Sequence, residues 1–143
     1  MAELTLHIGP ATFLPVKEAS LHRHELGPEF FEISESCAQA VNLARQQNRL
    51  AVAVGTSALR ALESAQDDTG YIRHCSGHTS LFITPGYKFK SRTALLTNFH
   101  LPRSTNLMLV SALAGYELTL SAYAEAVRQQ YRFYSYGDAM LIL

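Results

Sequence analysis

Apolar and polar positions alternate along this chain with two different periods, and the switches between them mark out its elements. "LTLHI" (4–8) alternates apolar with polar or small residues, as a short strand does, and Gly9-Pro10 stops it. Residues 9–28, rich in Pro, His and Gly, read as irregular, and "EFFEI" (29–33) reads as a second strand. The period then becomes helical. Cys37, Ala40, Val41 and Ala44 recur behind Ser34, an N-cap residue, and Glu35, a carboxylate suited to the positive end of a helix dipole. Gln46, Gln47 and Asn48 fade into a stop.

Continuous apolar runs follow. "LAVAV" (50–54), short and β-branched, predicts a strand buried on both faces, the mark of a parallel sheet covered by helices. "SALRALESA" (57–65) follows as a helix, and "SLFIT" (80–84) and "ALLTNF" (94–99) predict two more buried strands. Segments 104–115 and 117–130 read as helices broken at Gly115, with "YRFY" and "AMLIL" extended at the end. The expected fold is α/β: a single domain over 1–143, part of a larger sheet or barrel, with buried, largely parallel strands and flanking helices.

Composition narrows the partners only a little. Apolar residues make up 48% and charged ones 17%, which suits a soluble globular domain with a real core. No run reaches the ~18 apolar residues of a membrane span, and no secretory leader is evident, so a cytoplasmic location is expected. Twelve basic residues balance twelve acidic ones, yet "YKFKSR" and "RQQYR" are locally positive and interleaved with aromatics. They are either solvated surface or a nucleic-acid face. Cys37 and Cys75 lack metal-ligand spacing and predict free thiols, and His22 and His24 lack a well-placed third ligand, so no metal is expected.

Candidate chemistry collects where strands end. In parallel α/β sheets, ligands gather at the carboxyl ends of strands. That rule selects four junctions: Gly9 to Phe13, Gly55 to Ser57, Pro85 to Lys90, and His100 to Thr105. Gly55 permits a tight turn, and Thr56 and Ser57 sit at a helix start, which either receives a carboxylate or phosphate or is simply capped by those hydroxyls. Asn98 alternates to the side of His100, and a strand-end histidine serves as donor, proton carrier or structural residue. "YRFYSY" (131–136) either stacks bases or seals the core with half its rings.

These segments resemble a known family. "LLTNFHLPRSTNLMLVSALAG" (95–115) and "YRFYSYGDAML" (131–141) are similar to the C-terminal part of the S-adenosylmethionine:tRNA ribosyltransferase-isomerases of queuosine biosynthesis. "LTLHIG", "AVGTSALRALES", "LFITPGYKFK" and "AYAEAVRQQYRF" match in the same order, so the resemblance covers nearly the whole chain. It implies an α/β barrel-like core without the family's inserted β-barrel domain. It also implies transfer and isomerisation of the ribosyl group of S-adenosylmethionine onto 7-aminomethyl-7-deazaguanine in tRNA, giving epoxyqueuosine without a metal. S-adenosylmethionine would be the co-substrate, and tRNA, with an N-terminal half chain or a second copy, the partner.

The residue roles implied by the resemblance are expectations. His100 and Asn98 are the catalytic candidates; Gly9, Thr12, Gly55, Thr56, Ser57 and Tyr87 the substrate-binding ones; Lys88, Lys90, Arg103 and Arg132 the tRNA-contacting ones. The sequence departs from the family at several places. The family's usual "GAGTFQPV" reads "GPATFLPV" at 9–16, and Gly27 stands where a second histidine follows the one matched by His24. Thr93 and Ser80 stand where aspartates often occur. The expectation is an enzyme of this lineage that lacks turnover as an isolated chain; the alternative is a non-catalytic remnant or binding module that contacts tRNA or a partner chain.

Overall fold

The structure, a computed structural model, describes residues 1–13, 16, 26–90 and 92–143, with Ala11 and Phe13 through their backbone alone. Two three-stranded sheets share one central helix. Strands β1 (Leu4–Leu6), β2 (Glu29–Ile33) and β4 (Cys75–Thr79) form one sheet; β3 (Ala51–Val54), β5 (Thr93–Asn98) and β6 (Ala139–Ile142) form the other. Helix α1 (Glu35–Gln46) follows β2, and α2 (Thr56–Ala65) follows β3. Helices α3 (Thr105–Ala114) and α4 (Tyr116–Arg128) separate β5 from β6. The architecture is therefore mixed α/β.

Helix α2 packs against strands of both sheets, which explains its buried apolar side: Leu59 and Ala61 are fully inaccessible and Leu62 nearly so. Phe31 and Ile33 from the first sheet, Ala53 and Leu95 from the second, and Leu109 and Val110 from α3 complete the same core. Local signals fix the helix boundaries. Ser34 accepts a hydrogen bond from Cys37 N–H (3.2 Å), and Ser104 accepts one from Leu107 N–H (3.1 Å), each satisfying an orphan donor of a first helical turn. Gly115 ends α3 and starts α4 with φ 90° and ψ 146°, a conformation open to glycine, and the helices bend there by 115°.

The prediction of largely parallel strands does not hold. Among the described residues only β3 and β5 run parallel, while β1–β2, β2–β4 and β5–β6 are antiparallel. The strand expected at 80–84 is also displaced: pairing occupies the polar stretch Cys75–Thr79 instead. Leu81, Phe82 and Ile83 form irregular chain, whose backbone is partly satisfied by side chains. Leu81 N–H donates to the Thr79 hydroxyl (3.1 Å), and Leu81 C=O accepts from Arg60 Nε (3.1 Å), so a buried run survives there without a ladder. Apolar content alone cannot separate the two cases.

Nor is β3 buried on both faces. Ala53 is covered by the core, but Val52 and Val54 stand 50% and 70% exposed. In register, Val54 meets Leu96 and Leu96 meets Leu141, so these exposed side chains form one apolar row across the second sheet. The Cys37 and Cys75 thiols are free, and burial pushes both pKa values up.

Candidate active site at the strand ends

The two parallel strands end together. Val54 lies opposite Leu96, and the next amide, Gly55 N–H, donates to Leu96 C=O (2.8 Å), so both carboxyl ends finish side by side. Gly55, at φ 94° and ψ 145°, turns the chain straight into α2 and is itself the N-cap, without a side-chain cap bond. Thr56 and Ser57 therefore do not cap their own helix. The buried Thr56 hydroxyl instead donates to Asn106 Oδ1 on α3 (3.0 Å), and Ser57 is half-buried.

His100 follows the end of β5. Its Nε2 lies 2.8 Å from the Thr97 hydroxyl, and its backbone N–H donates to the Tyr123 hydroxyl (2.8 Å). Burial disfavours the imidazolium and lowers the pKa to about 4, so the ring is neutral at pH 7. Burial likewise raises the pKa of Tyr123. Asn98 has a structural bond: its Nδ2 donates to Asp138 C=O (3.0 Å), holding the entry to β6 beside the end of β5. Asp138 also accepts from Arg132 N–H and lies 3.6 Å from Arg132 Nε, which brings Arg132 to the same end.

The terminal aromatics gather partly around one buried ring. Tyr131 and Phe133 stack around Phe99, with ring centroids 5.6 and 5.3 Å away, and Tyr123 joins them at 5.4 Å from Phe99. Tyr131 is nonetheless 48% exposed, as Tyr134 and Tyr136 are at 43% and 76%.

The turn after β1 is tied to this region by a polar chain. Gly9 N–H (2.7 Å) and the Thr12 hydroxyl (2.6 Å) both donate to Glu29 Oε1, while Glu29 Oε2 pairs with Arg60 Nη2 at 2.6 Å. Glu29 and Arg60 are each 3% exposed. Thr105, beside Asn106 at the start of α3, donates its hydroxyl to Thr12 C=O (3.2 Å), and Val16 N–H donates to Arg103 C=O (2.8 Å). Three of the four junctions are thus joined through side chains.

The fourth is anchored elsewhere. Tyr87 hydroxyl and Lys90 N–H both donate to Glu63 Oε2 (3.1 Å each), and Lys90 Nζ donates to Gln66 C=O (3.1 Å). Desolvation, then the charge of Glu63, pushes the Tyr87 pKa up to about 12. Tyr87 therefore serves the flank of α2, and no described bond joins it to His100 or Gly55; Lys88 is exposed on the same segment. His22 and His24, together with Leu14 and Pro15 of the "GPATFLPV" stretch, lie outside the described residues.

The family model described as "Queuosine biosynthesis protein" matches residues 1–142. The chain belongs to this family. Among its relatives, the S-adenosylmethionine:tRNA ribosyltransferase-isomerase of Methylobacterium sp. (strain 4-46) is 55% identical over 141 residues, covering 99% of the chain and 39% of the relative. That of Natranaerobius thermophilus is 49% identical over 142 residues, covering 99% and 41%. The crystal structure of S-adenosylmethionine tRNA ribosyltransferase from Thermotoga maritima superposes with a TM-score of 0.77 at 41% identity, covering 99% of this chain and 44% of that one. The chain spans about two fifths of the length of the curated relatives it matches, corresponding to a C-terminal portion.

The residues that sequence reasoning missed are the buried charges. Glu29, Arg60 and Glu63 organise the turns after β1 and before β5, yet none was singled out. A signal was present: Arg60 and Glu63 sit three apart among Leu59, Ala61 and Leu62, and charges inside an apolar helix face are rarely buried unpaired.

Proposed function

We propose that residues 1–143 form one domain of an S-adenosylmethionine:tRNA ribosyltransferase-isomerase, the C-terminal part of its barrel-like core, acting in the cytoplasm. The whole enzyme would transfer the ribosyl group of S-adenosylmethionine to 7-aminomethyl-7-deazaguanine at the wobble position of tRNA. It would isomerise that group to the epoxycyclopentanediol of epoxyqueuosine, releasing adenine and methionine. The observation that carries this reading is the family match over residues 1–142, together with strand ends that gather donors beside a helix start.

The chemistry needs a carboxylate anchor, groups that grip the ribosyl hydroxyls, and exclusion of water. At the uncapped start of α2, Gly55 turns the chain so that the first-turn N–H groups of Thr56 and Ser57 face the methionine carboxylate. His100, neutral at pH 7 but far less basic than an efficient general base, suits hydrogen bonding to the ribosyl group better than abstraction of the proton next to the sulfonium. Asn98, through Asp138, and Gly9 and Thr12, through Glu29, position backbone around that site. Tyr87 shapes the loop that presents Lys88 and Lys90, which with Arg103 and Arg132 would meet tRNA phosphates.

The apolar row of Val54, Leu96 and Leu141 supports a second element of the reading: further chain, from the remaining length seen in relatives or from another copy, covers this face. The test is epoxyqueuosine formation from S-adenosylmethionine and tRNA bearing 7-aminomethyl-7-deazaguanine, with and without the N-terminal remainder of a relative. Turnover only with the remainder, and its loss in His100→Ala with folding intact, is expected. A bound remainder that restores no turnover favours the binding-module reading. Unchanged turnover in His100→Ala removes that residue from the site.

A further inference from the structure

A cavity of about 400 Å³ opens at the opposite end of the second sheet, where β3 and β5 begin. Arg45 and Arg49, from the end of α1 and the segment after it, line it from one side, and Lys90 and Arg92 line it ahead of β5. Four of the twelve basic residues in a chain of zero formal net charge therefore surround one cavity. Among the described residues, the carboxylate paired with any of them is Asp68, fully exposed and 4.0 Å from Lys90 Nζ. Arg45 and Arg49 give hydrogen bonds to neutral oxygens, Thr69 C=O and Gln47 Oε1, which leave both charges uncompensated.

The site is built as well as charged. Gly70, at φ 77°, lets Arg45 lie across the turn that closes the cavity; a Cβ there would stand 2.6 Å from Arg45 Nη1 and 2.7 Å from Lys90 C=O. Gathering four cations raises their mutual repulsion, which an anion relieves. The six residues of β5 separate this cavity from His100 by roughly 20 Å at ~3.3 Å per residue. A group reacting at the strand ends does not reach it, whereas a polynucleotide does.

We propose that this cavity is a phosphodiester-binding pocket that holds the RNA backbone several nucleotides from the base being modified. The proposal rests on the tRNA-modifying reading above and adds Arg45, Arg49 and Arg92 to its contacts. Each phosphate contact neutralised by a cation contributes about 0.7 to 0.9 to the slope of log affinity against log salt. The experiment is fluorescence anisotropy of labelled tRNA with this chain, over a salt series, for wild type, R49Q/R92Q, R49K/R92K and R128Q. R49Q/R92Q should bind roughly tenfold more weakly near ~0.1 M salt, with a slope shallower by about 1.4 to 1.8. R49K/R92K should retain most of the slope, and R128Q, on α4, should match wild type. If R49Q/R92Q shifts the urea midpoint, R92Q alone must still lower the slope by about 0.7 to 0.9. An unchanged slope in a folded variant, or no tRNA binding by wild type at low salt, overturns the pocket. The turnover assay separately decides the enzymatic reading, so the two failures are distinct.

Discussion

Replacing Arg60 by Met isolates what the buried ion pair contributes. Arg60 Nη2 meets Glu29 Oε2 at 2.6 Å, and both residues are 3% exposed, so removing the guanidinium strands a carboxylate away from water. Oε1 would keep its donors from Gly9 and Thr12, but Oε2 would lose its partner and Leu81 C=O would lose Arg60 Nε. Breaking a buried pair from one side costs about 3 to 5 kcal/mol, a loss of about two to more than three powers of ten in the folding constant. Glu29→Gln in the same background removes the stranded charge while keeping an acceptor for Gly9 and Thr12. That double variant should recover about 2 kcal/mol. Urea denaturation at constant slope is the assay. An Arg60→Met variant within 1 kcal/mol of wild type, or a double variant no more stable than Arg60→Met alone, refutes the reasoning.

Two further outcomes follow from the geometry. His100 has a folded-state pKa of about 4, below the ~6.5 of an exposed histidine, so between those values the unfolded chain binds more protons. Its contribution to stability is complete above about pH 6.5 and is lost as pH falls toward 4, with a slope of up to ~1.4 kcal/mol per pH unit. His100→Gln should flatten that part of the profile, and an imidazole NMR midpoint near 6.5 would refute it. Gly115→Ala places a Cβ in open space at φ 90°, so its cost is backbone strain alone, about 1 to 3 kcal/mol, and the melting temperature should drop by several degrees; an unchanged melting temperature sinks this account.

Local chemistry was legible wherever short-range rules decide the outcome. Ser34 as a helix cap, Gly115 as the break, and β2 over 29–33 all follow from neighbours a few residues apart. The direction of strands was not, because pairing is chosen by partners far along the chain. Cys75–Thr79 is polar enough to pass for a loop until β2 supplies its ladder. Exposure of Val52 and Val54 was equally hidden, since a β-branched run looks the same whether two faces are covered or one. At the site, Gly55 and His100 stood out because strand-to-helix seams are readable. The Glu29–Arg60 pair stayed hidden because its members are 31 positions apart, from 29 to 60.

The hydrogen bond from Thr105 to Thr12 spans 93 positions, and the parallel pairing of Ala51 with Thr93 spans 42, from 51 to 93. Such distant contacts carry a large loop-closure entropy and are slow to form. The helical pieces can organise early, but the strand-end junctions come together only after Thr12 and Thr105 have met. An arrested or partly folded chain would therefore keep its helices while lacking the assembled strand ends, and recovery of the Thr12–Thr105 contact should trail recovery of helical signal during refolding.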